Sequence, residues 1–189
     1  GFKNFIASSE PNATDKSGRH QRYNLVYFST LYPDLVDARL SSGKGRSRGE
    51  WAQNATNGLH CFLPFDPIPE RKYYTEYQVH VVLGGIGAAF RLARIMGQGI
   101  AVVLQDYLYE EWFTHLMIPF VHYIPLEQNL SNLNETLHWV RDNPSKVFEI
   151  AMNGKAFYEK YLSYERMAQF YHELLFRLML CCASRWDTE

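Results

Sequence analysis

The sequence predicts an open α/β domain built on a mainly parallel sheet. Three observations carry this expectation. Val79–Leu83 and Ile100–Leu104 are short, β-branched apolar runs of the kind found in strands buried on both faces. Between them, the stretch 88–96 holds good helix formers and is closed by Gly97 and Gly99. Tyr77–Asp106 therefore reads as strand, glycine turn, helix, strand, a parallel βαβ unit. Elsewhere, short apolar runs alternate with helical periodicities and the chain ends in a helical run, as a sheet with crossover helices requires.

Taken in order, residues 1–21 are polar, broken by Gly, Pro, Ser and Asn, and read as an irregular N-terminal segment; residues 22–189 form the domain. Arg22 stands before Leu25–Phe28, read as a short buried strand. LYPDLVDARL follows as a helix, with Pro33 at its start and Leu31, Leu35 and Leu40 on one side. Residues 41–49 form a basic, solvated loop, and 50–76 an irregular stretch with Pro64, Pro67 and Pro69. After the βαβ unit, Tyr109–Met117 reads as a short helix with Trp112, Phe113 and Leu116 inward. Val121–Ile124 is a strand closed by Pro125. Ser131 caps a helix that Asn143-Pro144 breaks. Two helical segments then flank Gly154, and Tyr164–Ser184 is a long amphipathic helix.

Composition narrows the function. A net charge of −1 gives no bulk attraction to nucleic acid or to an anionic membrane. No apolar run reaches the roughly 20 residues of a membrane helix. Cys61, Cys181 and Cys182 have no C-x-x-C spacing, and no H-E-x-x-H pattern occurs, so no metal site is expected. No Ser sits in a G-x-S-x-G elbow, which removes the usual hydrolase nucleophile. Asn12, Asn54, Asn129 and Asn134 each begin an N-x-[ST] sequon, a pattern that points to a secretory-pathway lumen.

The turn Gly84-Gly85-Ile86-Gly87-Ala88-Ala89-Phe90-Arg91 is the chemical centre of the sequence. Glycines there let a phosphate approach backbone N–H groups where the helix begins, and Arg91 adds a bidentate cation. Gly85-x-Gly87 followed by Asp106 also mimics a dinucleotide fingerprint, which gives an NAD(P)-binding oxidoreductase as the alternative. Its third small position falls on the bulky Phe90.

Several motifs in the same order and spacing resemble glycosyltransferase family 90, the family of protein O-glucosyltransferases and capsule xylosyltransferases. They are RYNLVYFSTLYPDLVDARL, GGIGAAFR, Glu111-Trp112-Phe113, HYIPLEQNLSNLNETLHWV and IAMNGKAF. The resemblance spans about residues 19–180 and implies a Rossmann-like sheet, the C-terminal domain of a GT-B enzyme. It implies a UDP-sugar donor, UDP-glucose or UDP-xylose, and a protein or glycan hydroxyl as acceptor. Neither metal nor other cofactor is implied, and residence in the endoplasmic reticulum or Golgi lumen is. Arg22, Gly85, Ile86, Gly87, Ala88, Ala89, Phe90, Arg91 and Glu111 fall on the family's donor-nucleotide positions. Gly84 stands where many members carry Asp, Ala89 where Ser is frequent, and Val103-Leu104-Gln105 lacks a common Lys. The family's catalytic base is an Asp of the N-terminal domain, which would precede Gly1. The chain is thus expected to be a fragment, a partner of a separate acceptor domain, or a degenerate, non-catalytic binding domain.

Overall fold

One reversal of direction organises the sheet. The computed structural model describes residues 5–9, 18–40, 70–84, 91–106 and 110–186. Its strands are β1 (Phe5–Ser9), β2 (Asp37–Leu40), β3 (Val79–Val82), β4 (Ala101–Gln105) and β5 (Ile124–Leu126). They lie in the order β2-β1-β3-β4-β5, every neighbouring pair parallel. The chain moves outward from β1 to β2, then returns to the other side of β1 to lay down β3, β4 and β5. The helices are α1 (Gly18–Leu31), α2 (Glu70–Glu76), α3 (Arg91–Gly97), α4 (Leu133–Asp142), α5 (Pro144–Phe157) and α6 (Tyr164–Trp186).

The alternation of side chains along the central strands creates two cores. Val79, Val81, Ala101 and Val103 face one side, where they meet Leu25 and Val26 of α1, Leu137 and Val140 of α4, and Ile150 of α5. Val82, Val102 and Leu104 face the other and pack on Leu92, Ile95 and Met96 of α3 and on Phe113, Met117 and Phe157. That α1 and α3 lie on opposite faces is what right-handed crossovers in opposite directions demand. The expected βαβ unit is present: Val79 pairs with Ala101 and Val82 with Leu104, with α3 between.

The N-terminal third differs from expectation. Phe5–Ser9 is an interior strand of the sheet, between β2 and β3, not irregular chain. Leu25–Phe28 is part of α1, not a strand, because Leu25, Val26 and Ser29 are buried at helical spacing. The expected helix over 31–40 is instead a turn and strand β2. Ser29 fixes this exit: its Oγ donates to the Val36 carbonyl at 3.0 Å and accepts from the Ala38 N–H at 2.9 Å. The strand's first residue is tied in as well. Asp37 accepts from the Tyr77 hydroxyl at 2.6 Å and from Arg39 Nε at 2.8 Å. Burial and this carboxylate together push the Tyr77 phenol well above its usual range, so it stays a donor.

Downstream of β2 the differences are smaller. Glu70–Glu76 is helical rather than irregular. Among the described residues of Tyr109–Met117, which exclude Tyr109, a 3₁₀ turn at Thr114–Leu116 stands in place of the expected helix, with Phe113 and Met117 buried and Leu116 exposed. The strand expected at Val121–Ile124 lies at Ile124–Leu126 and contains Pro125, tolerated because β5 borders the sheet. Asn132, not Ser131, precedes α4; its Oδ1 accepts the Glu127 N–H at 2.9 Å. Asn143 separates α4 from α5 with Pro144 in the first turn, as expected. Gly154 does not interrupt α5, which runs on into a wider π-type stretch, Tyr158–Leu162. Helix α6 forms where expected, but its apolar residues, including Phe170, Leu175 and Met179, are exposed among the described residues. No described helix is long and apolar enough to cross a membrane.

Candidate functional site

In an open α/β sheet, ligands bind beyond the carboxyl ends of the strands, at the point where strand order reverses. Here that point lies between β1 and β3. Leu83 and Gly84 leave the carboxyl end of β3, and α3 begins at Arg91. Gly85, Ile86, Gly87, Ala88, Ala89 and Phe90 lie outside the described residues. Arg91 Nη2 reaches back toward the Leu83 carbonyl, a long contact of 3.4 Å, so the guanidinium sits at the mouth of the turn.

Arg22 belongs to the first half of α1, the helix that follows β1. It does not precede a strand. Arg91 is the first residue of α3 and Arg22 the fifth of α1, the helices that follow two paired strands, β3 and β1. The element order thus places both at one edge of the sheet. Gln21, the neighbour of Arg22, is tied across that edge.

The hub of this edge is Gln105, the last residue of β4, which is only 2% exposed. Its Oε1 accepts the Gly84 N–H at 2.8 Å. Its Nε2 donates to Gln21 Oε1 at 2.5 Å and to the Gln128 carbonyl at 2.7 Å. Gln21 Nε2 donates to the same Gln128 carbonyl. Motif reasoning missed these glutamines. The available signal was a single polar residue closing the otherwise apolar strand AVVLQ.

Glu111 stands in the connection that leaves the carboxyl end of β4. Burial raises its carboxyl above the ordinary carboxylate range, while its carbonyl accepts the Thr114 N–H at 3.0 Å. Asp106, the acidic residue of the dinucleotide alternative, is exposed, and its N–H donates to the Leu126 carbonyl at 2.8 Å. Among the described residues no cluster of three or more His, Cys, Asp or Glu side chains could hold a metal ion.

Sheet order, parallel pairing and helices on both faces define a Rossmann-like domain, as in the C-terminal half of a GT-B glycosyltransferase fold. Solved structures agree. The chain superposes on sucrose-phosphate synthase from Thermosynechococcus elongatus with a TM-score of 0.64 and 16% identity, over 95% of this chain and 46% of that one. It also superposes on the C-terminal domain of a group 1 family glycosyl transferase from Francisella tularensis, with a TM-score of 0.53 and 15% identity, over 82% of this chain and 83% of that one. These likenesses speak for the fold alone. The chain belongs to glycosyltransferase family 90, whose profile matches residues 13–178. Protein O-glucosyltransferase 2 of Danio rerio is 31% identical over 159 residues, 84% of this chain and 30% of that protein. The chain spans less than half the length of the relatives it matches. Family membership decides against the oxidoreductase reading of Gly85, Gly87 and Asp106.

Proposed function

We propose that this domain binds a UDP-sugar, UDP-glucose or UDP-xylose, at the carboxyl edge of β1 and β3, for transfer of the sugar to a protein or glycan hydroxyl. The observation that supports the reading is that Arg91 and Arg22 lie in the helices that follow β3 and β1, the two paired strands at the reversal point of the sheet. When the acceptor oxygen attacks the anomeric carbon, the bond from that carbon to the diphosphate breaks and UDP leaves with an added negative charge. Guanidinium groups suit this step, because they are always charged and present paired donors to phosphate oxygens. Glu111, partly buried in the connection after β4, would offer a carboxyl group to donor hydroxyls. No metal enters this scheme. The base that takes the acceptor proton is assigned to a companion N-terminal domain, as in the O-glucosyltransferase relatives' family pattern. The sequons support a secretory-pathway lumen as the site of action.

Thermal unfolding with UDP, with NADH and without ligand tests the reading. A ligand that binds only the folded chain raises its melting temperature by mass action. UDP should stabilise the domain and NADH should not. Stabilisation by NADH alone would overturn the proposal, and a response to neither would make the chain a non-catalytic member of the family.

A further inference from the structure

We propose that Gln105 is a positioning residue of the donor site, locking the entry of the glycine turn to α1 and to the loop after β5. The inference rests on the donor-binding reading above. Its independent basis is where the three partners of one carboxamide come from. Gly84 opens the turn after β3, Gln21 lies beside Arg22 in α1, and Gln128 lies in the loop between β5 and α4. All three segments emerge at the carboxyl edge, and each is the connection of a different strand.

A single backbone N–H sets the direction of the whole chain of bonds. Gly84 N–H can only donate, so the group facing it is Gln105 Oε1. Nε2 must then face Gln21 and Gln128, which requires Gln21 to present its oxygen to Gln105 and its nitrogen to the Gln128 carbonyl. Both amide orientations are thereby determined, and both hydrogens of Gln105 Nε2 are used. Core packing alone gives no reason for this. The neighbours in β4 are Val102, Val103 and Leu104, all buried, and leucine at position 105 would avoid the desolvation cost of an amide. What the carboxamide provides, and leucine cannot, is a fixed link between Gly84, just beyond the end of β3, and the helix that carries Arg22. Two cations must be held at a set separation to grip one diphosphate, so this link determines affinity without touching the ligand.

The test compares wild type with Gln105→Met, Gln21→Met and the double variant, by UDP calorimetry and by amide hydrogen exchange. Methionine keeps the length and removes the hydrogen bonds. Gln105→Met should speed exchange of the Gly84 amide roughly tenfold and weaken UDP roughly tenfold, with Val102 and Val103 amides still protected. Gln21→Met, at a half-exposed site, should weaken UDP comparably while Gly84 stays protected, and serves if the first variant does not fold. The double variant should be no weaker than the poorer single one, since both act through one linkage. Wild-type UDP affinity in both single variants overturns the positioning role alone. So does a loss of affinity that comes with loss of protection in β4, or that adds across the double variant. Wild type that fails to bind UDP overturns the donor-site reading itself and the positioning role with it.

Discussion

Gly154, in the interior of α5, lies directly against the backbone of His122. A β-carbon at Gly154 would stand 3.2 Å from the His122 carbonyl oxygen and 3.6 Å from Met96 Cε. The glycine is thus a packing requirement, not a break between helices. Gly154→Ala gains helix propensity of about 1 kcal/mol but crowds a backbone oxygen, so it should be close to neutral. Gly154→Val adds bulk that the carbonyl cannot yield to and should lower stability by about 1–3 kcal/mol in urea unfolding. Equal stability of Gly154→Val and wild type would show that α5 and the 118–123 turn separate freely.

His122 itself gives the domain a pH dependence. Its Nδ1 accepts the Ile118 N–H at 2.9 Å, and its ring lies 4.9 Å from that of Phe157. Burial lowers its pKa from the ordinary 6.5. The unfolded chain therefore takes up this proton first as pH falls. The stabilisation is complete above pH 6.5 and is lost as pH drops from there toward the lower folded value. Glu111 opposes it at more acidic pH, since a carboxyl raised by burial is protonated first in the folded chain. Unfolding free energies at pH 7.5 and about 5.5 should fall for wild type and fall less for His122→Gln. Parallel declines would remove His122 as the source.

Arg91→Ala and Arg22→Ala should each weaken UDP binding by about 1.5–3 kcal/mol, the scale of a charge-assisted hydrogen bond. Melting temperatures should change little, because Arg91 is only partly buried and Arg22 lies in the first half of its helix. Calorimetry reporting wild-type affinity for either variant would remove that arginine from the donor site.

The sequons make a separate prediction about compartment. Asn129 and Asn134 are exposed, and Asn129 lies in the turn before α4. Protein made in a eukaryotic secretory host should gain gel mobility on endoglycosidase treatment. Asn129→Gln should reduce that shift. Absence of any shift would leave the lumenal assignment without support from the sequons.

The legible and illegible parts of this molecule differ for physical reasons. Val79–Leu83 and Ile100–Leu104 are readable because strands buried on both faces are β-branched and apolar nearly throughout, His80 being the one polar residue in either run. Leu25–Phe28 is just as apolar but too short to show a period, and only the presence of β1 decides that a helix must follow. That strand, Phe5–Ser9, holds two serines and gives little hydrophobic signal. At the site, arginines and glycines announced themselves by chemistry, whereas Gln105 and Gln21 belong to no motif. Their meaning exists only once strands distant in sequence stand side by side.

The proline in β5 has a consequence for the protein in concentrated solution. An uncovered sheet border is a template on which another copy can add a strand and begin a polymer. Strand β5 is three residues long, and its middle residue, Pro125, has no N–H to donate. Along that border the composition itself interrupts the row of donors on which a further strand would pair. A second copy meeting β5 therefore finds no continuous template there for fibre growth.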